Sequence, residues 1–217
     1  MSDQSTGGTT EGGRRGDVLR ASPPMFESKV LDFFSRVHPA VPAVIFLPTI
    51  AGVIYWSLRK TTIPVTIGLI AAGYLVWTLF EYWLHRLVFH FEPDNRLGAR
   101  LHWIIHGVHH DHPNDPMRLV MPPAVSVPIA AAVLALAWLI VGGRHAPGFV
   151  AGFYAGYLIY DMLHYWLHHS VPTSGLGRML RERHMRHHFQ DDTRGFGISA
   201  PYWDDVFRTA PQGKRPS

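Results

Sequence analysis

The chain has 217 residues, enough for one compact domain, and its 47% apolar content is concentrated in a few uncharged stretches, as bilayer spans require. It contains no cysteine, so thiolate metal sites, iron–sulfur clusters and disulfides are excluded, and any metal must be held by histidine or carboxylate. The net charge of +4 does not indicate nucleic acid, because the basic residues flank apolar segments and form no basic stripe with interleaved aromatics.

Residues 1–24 are rich in Gly, Ser and Thr, carry Arg14, Arg15 and Arg20, and hold no apolar run of signal-peptide type. They read as a disordered polar tail, leaving 25–217 as one membrane domain. Val41 to Leu58 is uncharged, and so is Thr61 to Phe80, with only Arg59 and Lys60 between them, which predicts a helical hairpin. Leu119 to Gly143 is a third uncharged run, whose Pro122, Pro123 and Pro128 should leave its first turns irregular or kinked. A fourth, Ala146 to Tyr160, is short for a span but can continue through Asp161, Met162 and Leu163 into a histidine-bearing segment.

About four spans put both termini and the segments 81–118 and 161–217 on one side. That side holds five Lys and Arg before residue 40, four from 86 to 118 and eight from 178 onward, against three on the other. The excess marks it as cytoplasmic. The expected fold is therefore all-α and integral to the membrane, with a cytoplasmic helical cap. A soluble protein would have to hide several long uncharged helices inside a small domain.

The chain carries fifteen histidines, grouped where the apolar runs end. In EYWLHRLVFH, His85 and His90 are five residues apart, about 140° on an ideal helix, so both can face one point only if the helix ends or bends there. Phe91, Glu92 and Pro93 offer such an ending. In HGVHH, His106, His109 and His110 project from one face of a helical turn, which could grip one or two metals. HYWLH places His164 and His168 at i, i+4, and HMRHH repeats the HGVHH spacing with His184, His187 and His188.

Ten candidate ligands imply more than one ion, because a structural zinc needs four, whereas ten shared by two ions leaves room for oxygen or water. Imidazole suits Fe, Zn, Cu and Ni alike. Two redox metals at a membrane face point to oxygen activation, with electrons arriving from another protein. Glu81, four residues before His85, and Asp161, three before His164, are placed to orient imidazoles. His38 and His145 stand alone and read as surface or core residues. His102, His112 and His169 lie off the repeated spacing, with His169 the best placed of the three to take part. A pH sensor would need fewer histidines and no matched triplets. The aromatics around 74–91 read as an interfacial belt and core packing.

FEYWLHRLVFHFEP, LHWIIHGVHHDHPNDPMRLVMPP and the late HMRHH followed by GFGISAPYWDDVF resemble the fatty acid hydroxylase superfamily of membrane di-iron enzymes, and are most similar to fatty acid 2-hydroxylases. The resemblance covers about residues 75–209 closely and the preceding hairpin loosely, and RLVMPP, Arg118 to Pro123, separates this branch from sterol desaturases. It implies that His85, His90, His106, His109, His110, His164, His168, His184, His187 and His188 bind two Fe ions, with zinc able to replace iron in a purified sample. It further implies hydroxylation of a fatty acyl chain at carbon 2 with O2 and two electrons, in the inner or plasma membrane of a bacterium or the endoplasmic reticulum of a eukaryote. Many eukaryotic relatives carry an N-terminal cytochrome b5 domain; the tail here is too short to fold as one, so a separate electron-donor protein is expected. The family's terminal WDxVFGT appears as WDDVFRT, with Arg208 where Gly is usual, so the C-terminal segment could close differently. Arg118 and Tyr202 are candidates for contact with the substrate head group. The competing readings are a sterol or carotenoid hydroxylase or desaturase with the same histidine boxes, a membrane zinc hydrolase, and a non-enzymatic metal carrier.

Overall fold

A computed structural model describes residues 15–212, and every regular element among them is helical. In chain order these are α1 (Lys29–Phe34), α2 (Ala40–Leu58), α3 (Ile63–Leu84), α4 (Arg96–His102), α5 (Val108–Asp111), α6 (Pro123–Val141), α7 (Ala146–His169), α8 (Gly175–Phe189) and α9 (Tyr202–Val206). A π-helical turn, His85–Phe89, prolongs α3, and a second, Trp103–Gly107, joins α4 to α5.

Among the described residues three helices are long and apolar enough to cross a membrane: Ala40–Leu58, Ile63–Phe89 and Pro123–Val141. The third begins at Pro123, so the irregular start expected of the run from Leu119 falls outside the helix, while Pro128 is accommodated within it. Proline suits the first helical position because its missing N–H would have had no partner there. The expected fourth span is one continuous helix, α7, and it differs in kind from the others. It packs against α2, α3 and α6 and is buried along most of its length, whereas α2 buries only Pro42, Phe46 and Ser57. Its tyrosines, Asp161 and histidines lower its hydropathy, which a lipid-facing helix could not tolerate and a helix enclosed by three others can.

Close approach of α7 to α3 depends on glycine. A Cβ on Gly152 would overlap the Ile70 carbonyl oxygen, and one on Gly73 the Phe149 carbonyl oxygen, so the two backbones touch at both positions. Gly152→Val should therefore separate the helices, at a cost of at least ~3 kcal/mol. Thermal unfolding in detergent is expected to show a Tm lower by several degrees or no folded protein; an unchanged Tm would contradict this packing.

The two short connections lie together at one end of the bundle. Lys60 Nζ donates to the Gly143 carbonyl at 3.3 Å, and Arg144 Nε donates to the Lys60 carbonyl at 3.1 Å. The histidine-bearing elements α4, α5 and α8 gather at the other end. There residues 15–24, the described part of the segment expected to be a polar tail, lie against the loop after α5. Residues 15–20 are helical. The Val18 carbonyl faces His112 Nδ1 at 2.6 Å, and the Leu19 carbonyl accepts the Asn114 N–H at 2.9 Å. Residues 1–14 lie outside the described part.

Candidate metal centre

Each histidine pair is carried by a local turn of its own helix. The five-residue step between His85 and His90 is closed by the π turn, in which the His90 N–H donates to the His85 carbonyl at 3.2 Å. An i→i+5 turn restores the two rings to one side, so the helix winds wider before it ends at the Phe91–Pro93 stop. His164 and His168, and His184 and His188, each use the i, i+4 neighbourhood of an α-helix, while His106 lies in the Trp103–Gly107 π turn, four residues before His110 in α5.

The ten rings converge in two groups of five: His85, His90, His106, His110 and His187 in one, and His109, His164, His168, His184 and His188 in the other. Within each group the candidate ligand nitrogens all lie within 4.8 Å of one another. The triplets are divided, not kept whole. HGVHH gives His106 and His110 to the first group and His109 to the second, and HMRHH gives His187 to the first and His184 with His188 to the second. The groups adjoin, with the His110 and His188 rings stacked at 4.3 Å between centroids. None of His38, His102, His112, His145 or His169 belongs to either group. His169 is exposed, its ring stacked on Tyr165 at 4.2 Å.

The nitrogens are those of neutral imidazoles with lone pairs turned inward. His85 Nδ1 donates to the Phe196 carbonyl at 2.8 Å and His187 Nδ1 to the Arg194 carbonyl at 2.7 Å, so each Nε2 is left as an acceptor. Yet His85 Nε2 faces His106 Nε2 and His90 Nε2, each at 3.2 Å, and His90 Nε2 faces His187 Nε2 at 3.0 Å. Few protons are available for so many facing lone pairs. In the second group both nitrogens of His109 and His188, and His164 Nε2, are buried without a hydrogen-bond partner. Orphaned buried acceptors cost free energy unless something else pairs them, and a cation at the centre of each group would do so. Five imidazoles fit Fe, Zn, Cu or Ni.

Burial, and then the neighbouring imidazoles, hold His106, His109, His184 and His188 well below the ordinary histidine range. The same causes take His90 to about 3 and His110 to about 2. All six are therefore in the deprotonated form that metal binding requires.

Glu81 and Asp161 do not touch an imidazole, contrary to the expectation from their spacing. Glu81 accepts from the Ile198 N–H at 2.8 Å, the Ser199 N–H at 2.7 Å and the Ser199 hydroxyl. Asp161 accepts from the Met121 N–H at 3.3 Å and the Tyr157 hydroxyl at 3.1 Å. Each carboxylate thus fixes a distant backbone segment. Sequence reasoning missed the imidazole partners, which are the carbonyls of the 194–196 loop. Two carboxylates fix that loop, since Asp204 accepts the Phe196 and Gly197 N–H groups, both at 2.9 Å, and the Thr209 hydroxyl at 2.8 Å. Its signal was GFGISAPYWDD, glycines beside an acid pair with no helical or strand period. Arg208 closes this segment with φ 58°, the left-handed conformation a glycine there would adopt freely, so the substitution is absorbed as local strain.

Arg118 is also not free for a head group. It is buried, pairs with Asp32 at 3.0 Å, and donates to the Pro23 carbonyl, clamping the N-terminal segment onto the loop after α5. Tyr202 is half exposed, and its hydroxyl donates to Thr78 Oγ1 at 2.9 Å.

Two five-imidazole pockets where the apolar helices end are groups that could each hold a metal ion in a helical membrane protein. Residues 70–209 match the family model described as fatty acid hydroxylase. A dihydroceramide fatty acyl 2-hydroxylase of Arabidopsis thaliana is 37% identical over 205 residues, 92% of this chain and 84% of the relative. A ceramide very long chain fatty acid hydroxylase of Saccharomyces cerevisiae is 34% identical over 193 residues, 88% of this chain and 50% of the relative. The solved structure of full-length Scs7p, in which only the hydroxylase domain is visible, superposes with a TM-score of 0.81 at 33% identity, covering 86% of this chain and 71% of that one. The chain belongs to the fatty acid hydroxylase family and is an enzyme of that class.

Proposed function

We propose that this enzyme hydroxylates carbon 2 of a fatty acyl chain, using O2, two irons held by the ten grouped histidines, and two electrons from a separate donor protein. The observation that carries the reading is the pair of five-imidazole groups at the membrane end of apolar helices; the names of the relatives supply the acyl substrate and the position. Bound iron supplies oxygen activation. One oxygen atom enters the C–H bond of the substrate and the other leaves as water, with two electrons and two protons consumed. A chain without cysteine holds no iron–sulfur cluster of its own to provide those electrons.

The protein's own contribution is positional. The Phe196 and Arg194 carbonyls fix the tautomer and ring plane of His85 and His187. Glu81 and Asp204 hold the loop that offers those carbonyls, and burial of the rings keeps bulk water from the reacting carbon. The excess of Lys and Arg on the histidine side supports a cytoplasmic location for that end. The relatives' names favour an acyl chain carried on a sphingoid base.

The test is mass spectrometry of lipids from cells expressing the protein under 18O2. Label in a 2-hydroxy acyl product is expected. Label from water would point to hydrolysis by a bound zinc, and label at a sterol or carotenoid carbon to the other branch of the superfamily.

A further inference from the structure

The end of the bundle opposite the histidines carries a cluster of charge that the metal centre does not use. Arg59 and Lys60 follow α2, and Arg144 lies between α6 and α7, so all three stand where apolar helices begin or end. No Asp or Glu occurs between Asp32 and Glu81, or between Asp115 and Asp161. At 1.5 Å per residue, Glu81 is about 27 Å along α3 from Ile63, and Asp161 about 22 Å along α7 from Ala146. Both are farther away than a screened attraction reaches. The chain's other seventeen Lys and Arg nearly balance its sixteen carboxylates, so most of the net charge of +4 is concentrated at this end.

The cluster is held in shape by its own surroundings. Lys60 Nζ lies over the rings of Trp56 and Trp138, 4.8 and 5.2 Å from their centroids, and the two rings pack on each other at 5.5 Å. Ring faces hold an ammonium without neutralising it. The connection after α6 is shaped to admit this arrangement, because the Trp138 indole fills the space that a side chain at Gly143 would need, and Gly142 takes φ 79°, which glycine adopts freely. Part of the cluster's role is helix capping: Lys60 Nζ donates to the Gly143 carbonyl and Arg144 Nε to the Lys60 carbonyl, at the C-terminal ends of α6 and α2. Those bonds use one donor of each side chain. The other N–H groups of Lys60, the terminal nitrogens of Arg144 and the whole Arg59 guanidinium have no partner among the described residues, and all three residues are exposed.

We propose that Arg59, Lys60 and Arg144 bind the phosphate of an anionic phospholipid in the leaflet opposite the histidines. Height in the bilayer fixes the class of ligand, since cations at the ends of helices that cross a ~30 Å hydrocarbon core lie at the level of the head groups. Leu58, Leu139 and Ile140, which are 44%, 82% and 72% exposed, flank the cluster on the hydrocarbon side, so its ligand carries apolar chains beside its anionic group. A zwitterionic lipid brings a cation of its own and leaves the excess charge uncompensated, whereas an anionic lipid neutralises it. By bridging the two connections, the lipid ties the α2–α3 hairpin to the α6–α7 hairpin at the end where no histidine group joins them. The site is independent of the acyl-hydroxylase reading and goes beyond it.

The test is lipid retention, which needs no turnover. The full chain is stripped of lipid in detergent, offered phosphatidylglycerol, phosphatidylcholine or inorganic phosphate, and followed by native mass spectrometry and thermal unfolding. Phosphatidylglycerol is expected to be retained and to raise the Tm, and phosphatidylcholine to do so much less. Arg59→Gln alters a side chain with no hydrogen bond to the rest of the protein among the described residues, and should weaken retention about fivefold; adding Arg144→Gln should bring the loss to about tenfold or more. If the double variant does not fold, the single variant decides. Equal retention of the two lipids would overturn the proposal. Undiminished phosphatidylglycerol binding by the folded variants would do the same and assign the bound lipid to the basic residues of the histidine end. A Tm raised as far by inorganic phosphate as by phosphatidylglycerol would make the ligand a free anion and refute the lipid site.

Discussion

His106→Ala and His109→Ala, three residues apart on one helical turn, are expected to empty different metal positions. His106 belongs to the group with His85, His90, His110 and His187, and His109 to the group with His164, His168, His184 and His188. Each variant should keep about one metal per chain against the two expected of the wild type. Second paired changes distinguish the groups: His187→Ala added to His106→Ala removes little more metal, whereas His184→Ala added to it empties both positions. Hydroxylated product should fall by more than about a hundredfold in every case, because losing even a residue that merely orients a ligand commonly costs 10–100-fold. Elemental analysis of the purified variants beside product analysis is the measurement. Retention of two metals by His109→Ala would refute the grouping.

Acid is expected to release the metals and then to destabilise the metal-free protein. The unfolded chain has histidines near 6.5, while in the fold His90 is held to about 3 and His110 to about 2, with His106, His109, His184 and His188 also well depressed. Below pH 6.5 the unfolded state therefore binds protons that the native state does not. Stability is complete above that pH and declines as pH falls toward the folded values. Each histidine kept neutral contributes up to ~1.4 kcal/mol per pH unit across the window. Chemical unfolding of metal-stripped protein from pH 8 to 4 should show a midpoint that is flat above about 7 and falls steeply below 6. A midpoint that rises on acidification would mean that the rings are protonated in the fold. With metal bound, the onset should move to lower pH, because the ion occupies the lone pairs that protons would take.

Two histidine placements illustrate how far local spacing carries and where it stops. The i, i+4 pairs are visible in the chain because helical geometry alone puts those rings on one side. His85 and His90 are harder, since an α-helix separates them, and only the observed π turn reconciles the step of five. The division of HGVHH and HMRHH between two groups has no counterpart in either segment. It arises because α5 and α8 approach the end of α3 on one side and α7 on the other, so neighbouring residues of a single turn face different pockets.

The acids make the same point in reverse. Glu81 and Asp161 sit at the right intervals to reach the following histidine, but each is fully buried and turns to backbone N–H groups at residues 198–199 and 121. A buried carboxylate takes the donors that tertiary packing delivers, and segments 40 to 118 positions away are invisible to a spacing rule. Arg118 is a candidate for contact with the head group in the sequence, but the fold commits it to Asp32 and the N-terminal segment.

The sequence by itself determined the membrane class, the all-helical architecture, the apolar runs and the family, because hydropathy and helical period act over a few turns and the absence of cysteine leaves only imidazole and carboxylate as strong metal ligands. Tertiary structure alone decided that α7 is the enclosed helix, that ten rings form two fives, and that carbonyls of the 194–196 loop orient two of them. Those features are made by surfaces from distant parts of the chain meeting at close range, and no local pattern encodes which surfaces will meet.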